Sequence, residues 1–396
     1  MLLSVYSIVM SLPLIAVFCG TAIVSIVMYF SSLRASPSNI PKLYFKESTL
    51  ASFLLKRCRL MNRKFNPPWY LQNTHVQTII PFFQSLQHTI EFDREYLQMR
   101  DRGVIALDWA LNVSVHKRKR CTIAIILPGI TGNAQQVAQC CSLAAYKGYR
   151  PVVFNPRGFG NSLLTTPKIL SNGDPHDLRQ VVKYIHNRYP KALVTMIGFG
   201  TGCALQLSYL GEFGSSANVC AGACISACFD SVERYARGIQ SVYDFIYLVK
   251  LKITLASHSI SLSKLIDFKE LLKCWTFKQF DQLLFSKLYK FSNIEEFWDR
   301  YHPLRDVDEI AVPLLFINSL DDPFNTGSNI PFDLCKYYPH FLMVATEQGG
   351  HCGFVDSFGD VSWAEKLAVD YLDSVLEFTN KGHSINYGKC VSRSTI

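Results

Sequence analysis

The chain has 396 residues, 49% hydrophobic, 13% aromatic and 18% charged, with a formal net charge of +9. That is enough chain for one large core or at most two domains, and its composition excludes a disordered or repeat protein. A mean hydropathy of +0.12 is high for a wholly soluble enzyme.

Residues 2–30 are apolar, small or aromatic, and the first charged side chain is Arg34. At ~1.5 Å per residue such a run crosses a ~30 Å hydrocarbon core, even with Pro13 inside it. A secretory signal has a basic start and a shorter apolar stretch, so residues 1–33 are expected to be a retained single-pass anchor. Cleavage and secretion is the alternative. Eight basic residues follow (Arg34, Lys42, Lys46, Lys56, Arg57, Arg59, Arg63 and Lys64) against one acid, Glu47, which places +7 of the +9 in residues 34–66. That concentration predicts a basic juxtamembrane linker with the globular part in the cytoplasm, and it argues against a nucleic-acid footprint.

The globular domain is expected over residues 67–380, with a tail at 381–396. A hairpin is predicted over 88–111, followed by alternating elements: strand 122–127, helix 134–147, strand 151–155, a helix carrying Leu178, Val181, Val182, Ile185 and Tyr189 on one face, strand 193–197 and helix 202–213. Strands 313–317 and 341–345 and a closing helix 362–378 complete the pattern. This alternation demands a mostly parallel sheet with helices on both faces. Between 230 and 306 the strand pattern gives way to an aromatic, helical stretch with Phe245, Tyr247, Trp275, Phe277, Phe280 and Phe285. It is expected to form a cap, whose aromatics either line an acyl-chain pocket or make the cap's own core.

Thirteen cysteines form no regular framework, and an odd number leaves a thiol unpaired, which suits a reducing compartment. Cys220, Cys224 and Cys228 lie in a small-residue run without nearby histidine, a pattern of packing rather than of zinc binding. No metal or cofactor is expected.

Met196-Ile197-Gly198-Phe199-Gly200-Thr201-Gly202 has the frame of a nucleophile elbow: apolar strand, tight glycine turn, helix. Gly198 and Gly202 hold the flanks of G-x-S-x-G, and Gly200 stands where serine is required. No lysine follows in the phosphate-loop pattern, and no dinucleotide G-x-G-x-x-G is formed. Asn318-Ser319-Leu320-Asp321-Asp322-Pro323-Phe324 ends one later strand, and Gly349-Gly350-His351-Cys352-Gly353-Phe354 follows the next. Elbow, acid, histidine is the chain order of a hydrolase triad. The turn Leu127-Pro128-Gly129-Ile130-Thr131-Gly132 follows the first parallel strand, and the amides of Ile130 and Thr201 are the expected oxyanion donors. An ordinary strand-to-helix turn would use the same glycines.

These segments, with Pro68-Trp69, Asn155-Pro156-Arg157-Gly158, Ser208-Tyr209-Leu210-Gly211-Glu212, Trp298-Asp299-Arg300 and Pro303-Leu304-Arg305-Asp306-Val307-Asp308-Glu309, resemble the abhydrolase domain-containing family of single-anchor hydrolases over residues 67–378. The resemblance is to a branch that also carries glycine at the elbow. It implies an α/β-hydrolase fold with charge-relay roles for Asp322 and His351, Asp322 fitting the family's acid turn better than Asp321. It also implies descent from acylglycerol and phospholipid hydrolases. With Gly200 the acyl-enzyme cannot form, so the expected function is that of a pseudo-hydrolase binding a lipid-like or acyl-ester ligand, or a protein partner, at a membrane. The alternative is an active carboxylesterase or acylglycerol lipase using Asp322 and His351 with a non-standard nucleophile or water.

Overall fold

The strand Thr122–Leu127 is apolar and buried at every position. A strand tolerates that only when both faces of its sheet are covered. The computed structural model describes residues 40–87, 90–111, 121–129, 132–171, 173–229, 242–263, 265–325, 327–357 and 361–382. Among them, one sheet runs in the order β1-β9-β8-β7-β6-β4-β5-β3-β2. The strands are β1 (Lys42–Phe45), β2 (Phe92–Gln98), β3 (Val104–Ala110), β4 (Thr122–Leu127), β5 (Tyr149–Asn155), β6 (Leu193–Phe199), β7 (Ala221–Ile225), β8 (Leu314–Ser319) and β9 (Phe341–Thr346). From β5 through β9 the pairings are parallel, and β1, β2 and β3 join antiparallel at the two edges.

Alternate residues of each central strand serve opposite faces. Ala124 and Ile126 pack with the helices Ala138–Tyr146 and Trp363–Asn380, while Ile123, Ile125 and Leu127 pack with His176–Arg188 and Thr201–Phe213. The expected helical face of Leu178, Val181, Val182 and Ile185 is buried. The Asn155-Pro156-Arg157-Gly158 turn is held by a buried ion pair. Arg157, 2% exposed, donates from Nε to Asp177 Oδ2 at 2.6 Å and from a terminal nitrogen to Asp177 Oδ1 at 2.7 Å.

The cap consists of helices Val242–Ala256, Ser259–Leu262, Phe268–Lys273, Phe277–Tyr289 and Ile294–Arg300. It has a core of its own, shared with Phe159, Leu164 and Ile169 from the segment after β5. Two of the aromatics expected to line a pocket or to fill the cap's own core do neither. Phe245 and Trp275 stack on each other at 6.1 Å on the outer surface, 42% and 63% exposed. The helix Val242–Ala256 is apolar on several sides, so its sequence does not reveal which side faces inward.

The anchor over residues 1–33 lies outside the described residues, as does most of the tail. Among those described, no helix is long and apolar enough to cross a membrane. The linker expected over 34–66 is corrected from Lys42 onward. β1 pairs antiparallel with β9, and the helix Thr49–Arg57 buries Leu50, Ala51 and Leu54, packing on the helix Trp363–Asn380. Cys58, Met61 and Phe65 join the same core. Basic residues dominate the charged side chains of this segment, yet its apolar residues recur with helical spacing and its charges turn outward. Arg57 pairs with Glu377 at 2.7 Å and Lys42 with Glu347 at 3.8 Å. The domain therefore begins some 25 residues before Pro67.

Removing a fully buried leucine costs roughly 2 to 5 kcal/mol, whereas a change in a solvated linker costs under about 0.5. Leu54→Ala is expected to lower unfolding free energy by about 3 kcal/mol in urea titration. A midpoint matching the unaltered protein would return this segment to the status of linker.

Candidate active site

The three segments singled out in the sequence leave parallel strands of the sheet at the same end. Gly200 follows β6, Asp321 and Asp322 follow β8, and His351 lies beyond β9. The carboxyl ends of parallel strands are where an open α/β sheet forms its crevice.

At the elbow, Gly200 has φ +51° and ψ −115°, a conformation that costs any L-residue free energy, and its amide donates to the Ile225 carbonyl at 3.0 Å. Gly202 lets the helix Thr201–Phe213 approach β4 so closely that a Cβ there would lie 2.1 Å from the Leu127 carbonyl oxygen. A Cβ on Gly200 would lie 2.9 Å from His351 Nε2. The vacant side-chain position is therefore directly against the imidazole.

His351 donates from Nδ1 to Asp322 Oδ2 at 2.9 Å when that nitrogen carries the proton, which turns Nε2 toward Gly200. Asp322 is 1% exposed, and its other oxygen accepts from the amides of Phe324 at 2.7 Å and Asn325 at 3.1 Å. Burial alone would lower the imidazole's pKa, but the Asp322 carboxylate, together with Cys352, outweighs it and the His351 pKa is raised well above the ordinary value. Asp321 has a different set of contacts. It accepts from Thr74 Oγ1 and from the Gly350 amide, the latter at 3.0 Å, and burial raises its pKa. The structure thus seats Asp322 on the ring and Asp321 on the loop that carries the ring.

Of the two expected oxyanion donors, Thr201 begins the elbow helix and lines the cavity, and Ile130 lies outside the described residues. Cys203 is buried, its Sγ lies 3.4 Å from the Ile225 carbonyl, and burial pushes its thiol pKa well up. It packs and does not face the ring.

Two parts of the site were not singled out in the sequence. Cys352 is half-buried and lines the cavity, and its Sγ lies 3.9 Å from where a Cβ on Gly200 would be. A positive φ of +57° turns it back toward the elbow, where its amide donates to Ser226 Oγ at 2.8 Å. Its adjacency to His351 was the available signal. The helix Thr74–Gln87 supports the histidine loop: Thr78 Oγ1 accepts the His351 amide at 3.1 Å, and Gln77 bonds both the amide and the carbonyl of Val355. Only spatial proximity reveals that role. Farther out, Arg305 reaches Ser208 Oγ at 3.2 Å and Glu212 at 2.7 Å, joining two of the sequence segments that carry the resemblance.

A cavity of about 670 Å³ opens from Gly200, Thr201 and His351 and runs beneath the cap, where Phe277, Phe280, Phe285 and Phe297 line it. Two acids in its wall have lost their water. Asp281 accepts from Trp298 Nε1 at 2.9 Å and is pushed up by burial to about 7. Burial pushes Glu365, whose Oε2 has no hydrogen-bond partner among the described residues, to about 8. The arrangement can hold an acyl chain and present an imidazole and a helix N-terminus to its head. It has no side chain at residue 200 to attack a carbonyl.

Residues 125–358 match the profile of the family described as alpha/beta hydrolase fold. The chain is 33% identical over 344 residues to human Protein ABHD15, covering 84% of this chain and 74% of that one. It is 26% identical to mouse Phospholipase ABHD3, covering 94% and 92%. To zebrafish Monoacylglycerol lipase ABHD2 it is also 26% identical, covering 87% and 85%.

The raised pKa of Asp281 fixes the sign of a pH effect. Folding keeps a proton on this group that the unfolded chain releases above about pH 4. Its contribution is therefore complete below that pH and is lost as pH climbs through about 7. Asp281→Asn keeps an acceptor for Trp298 and removes the titration. Unfolding free energies from urea titration should favour the variant more at pH 8 than at pH 5, by on the order of 2 to 3 kcal/mol. Equal differences at both pH values would mean that this carboxyl is solvated.

Proposed function

Because the chain belongs to the alpha/beta hydrolase fold family, we propose that it retains the family's acyl-binding site without the covalent chemistry, acting as a pseudo-hydrolase for a lipid-like ligand. One observation carries this reading: a glycine lies directly against the Nε2 edge of an imidazole that still has its carboxylate. A serine hydrolase divides hydrolysis into acylation and deacylation through a side-chain oxygen. Losing that oxygen in a serine protease reduces turnover on the order of a millionfold, leaving binding and oxyanion contributions. The lipase and phospholipase names of two of its relatives, ABHD2 and ABHD3, support an acyl lipid as the ligand class. The apolar wall of the cavity fits that class.

The proposal includes a membrane setting, in which residues 1–33 anchor the chain and the basic residues that follow keep the globular domain on the cytoplasmic side. In sealed microsomes, added protease should then digest the domain without detergent. Protection of the domain would reverse the topology.

A second reading rests on Cys352. Its thiol lies close to the vacant position, and His351 could take its proton. The thiolate would attack an ester carbonyl, the alcohol would leave with the proton from His351, and water would release the acid from the thioester. Ester turnover that disappears in Cys352→Ala would establish this reading and displace the first.

For the leading reading, the purified chain should not react with a fluorophosphonate serine probe. Gly200→Ser should gain labelling, although the new Cβ forces the imidazole back and the turn's positive φ costs about 1 to 3 kcal/mol. Labelling of the unaltered chain in this cavity would sink the proposal.

A further inference from the structure

The missing side chain that removes a nucleophile also leaves a space between an imidazole edge and a helix N-terminus. His351 Nε2 stands 2.9 Å from the point a Cβ on Gly200 would occupy, and Cys352 Sγ, 3.9 Å from the same point, forms a side wall. Behind the ring, the buried Asp322 carboxylate, with Cys352 beside the ring, raises the imidazole's pKa against the opposing effect of burial and favours its protonated form. The helix Thr201–Phe213 begins at this space, and Gly200 and Thr201 both line the cavity. A helix N-terminus contributes roughly half a positive charge. In a working hydrolase this arrangement meets a neutral carbonyl and finds its negative charge only in the transition state. With no hydroxyl to begin the reaction, the complementary charge is left for a ligand that is already anionic.

The wall of the cavity does not cancel this attraction. Burial pushes Glu365 to about 8, so it is neutral at pH 7, and Asp281 to about 7, so it is only partly ionised. Lys250 and His302 also line the wall. Beyond the head position the lining is apolar, through Phe159, Leu251, Leu255, Phe280, Phe285 and Phe297. That shape and polarity fit one long hydrocarbon chain with a small planar head.

We propose that this cavity receives a long-chain carboxylate, a free fatty acid in preference to its ester, with the head in the space at Gly200 against Nε2 of His351 and the chain beneath the cap. The carboxylate then stands where a hydrolase would develop its oxyanion, and the retained acid and base serve as an anion receptor. This inference rests on the reading above that the site binds acyl ligands without turning them over.

Calorimetric titration of the purified full chain with palmitate, methyl palmitate and hexadecanol, each below its aggregation limit, tests it. Palmitate should bind at least tenfold more tightly than the two neutral ligands. His351→Gln, which keeps a donor but no charge, should bring that ratio close to one, and so should Gly200→Ala, whose methyl fills the space. Phe280→Ala should weaken all three ligands together. Equal or tighter binding of methyl palmitate by the unaltered chain overturns the inference and leaves the acyl-binding reading intact. Binding of none of the three overturns that reading, and this inference with it. Release of methanol from methyl palmitate refutes the absence of turnover, whatever the order of affinities.

Discussion

Asp322 has surrendered nearly all of its water, and what replaces that water is two backbone amides and the imidazole of His351. A buried carboxylate with a well-placed partner is tolerable. The same carboxylate deprived of one costs about 3 to 5 kcal/mol. The pair is thus part of what holds the ends of β8 and β9 together, apart from any reaction. An intact acid–base pair beside a glycine is therefore weak evidence for turnover, because the fold itself has reason to keep it. The positions of Asp321, Thr74, Thr78 and Gln77 follow from the same requirement, since each fixes the loop that presents the ring.

Much of the fold was legible because parallel strands buried on both faces leave a plain signal. β4, β6, β8 and β9 are short apolar runs rich in branched residues, each bounded by turn or helix patterns. β7 was not legible. Its sequence Ala-Gly-Ala-Cys-Ile has small residues suited to close approach by neighbouring elements and carries little strand propensity. Of the three cysteines expected to pack there, Cys224 is buried in the core, while Cys220 and Cys228 flank the strand half-buried and Cys228 lines the cavity. β1 and the helix Thr49–Arg57 were obscured by lysine and arginine, whose number conceals the buried stripe of Leu50, Leu54 and Met61.

The site was legible in its order along the chain and less so in its contacts. Elbow, acid and histidine stand as a hydrolase would place them, and the space around them brings Gly200, Asp322 and His351 together. Sequence spacing says nothing about which of two adjacent aspartates turns inward, because that depends on the bend after β8. Nor does it say that a cysteine following the histidine is folded back by a positive φ. The outward stack of Phe245 on Trp275 has a related cause: aromatic content measures how much apolar surface a cap has, and not which side of each helix carries it.

The cap's separate core has a consequence for divergence within such a scaffold. Phe280, Leu284 and Phe285 pack among cap helices and the short segment carrying Phe159, Leu164 and Ile169, while the elbow belongs to the sheet. Substitutions in the first group redraw the depth and bore of the tunnel without disturbing the second. A lineage can thus lengthen or shorten the cavity beneath the cap while the loops around Gly200 and His351 stay fixed, two traits free to evolve separately within one chain.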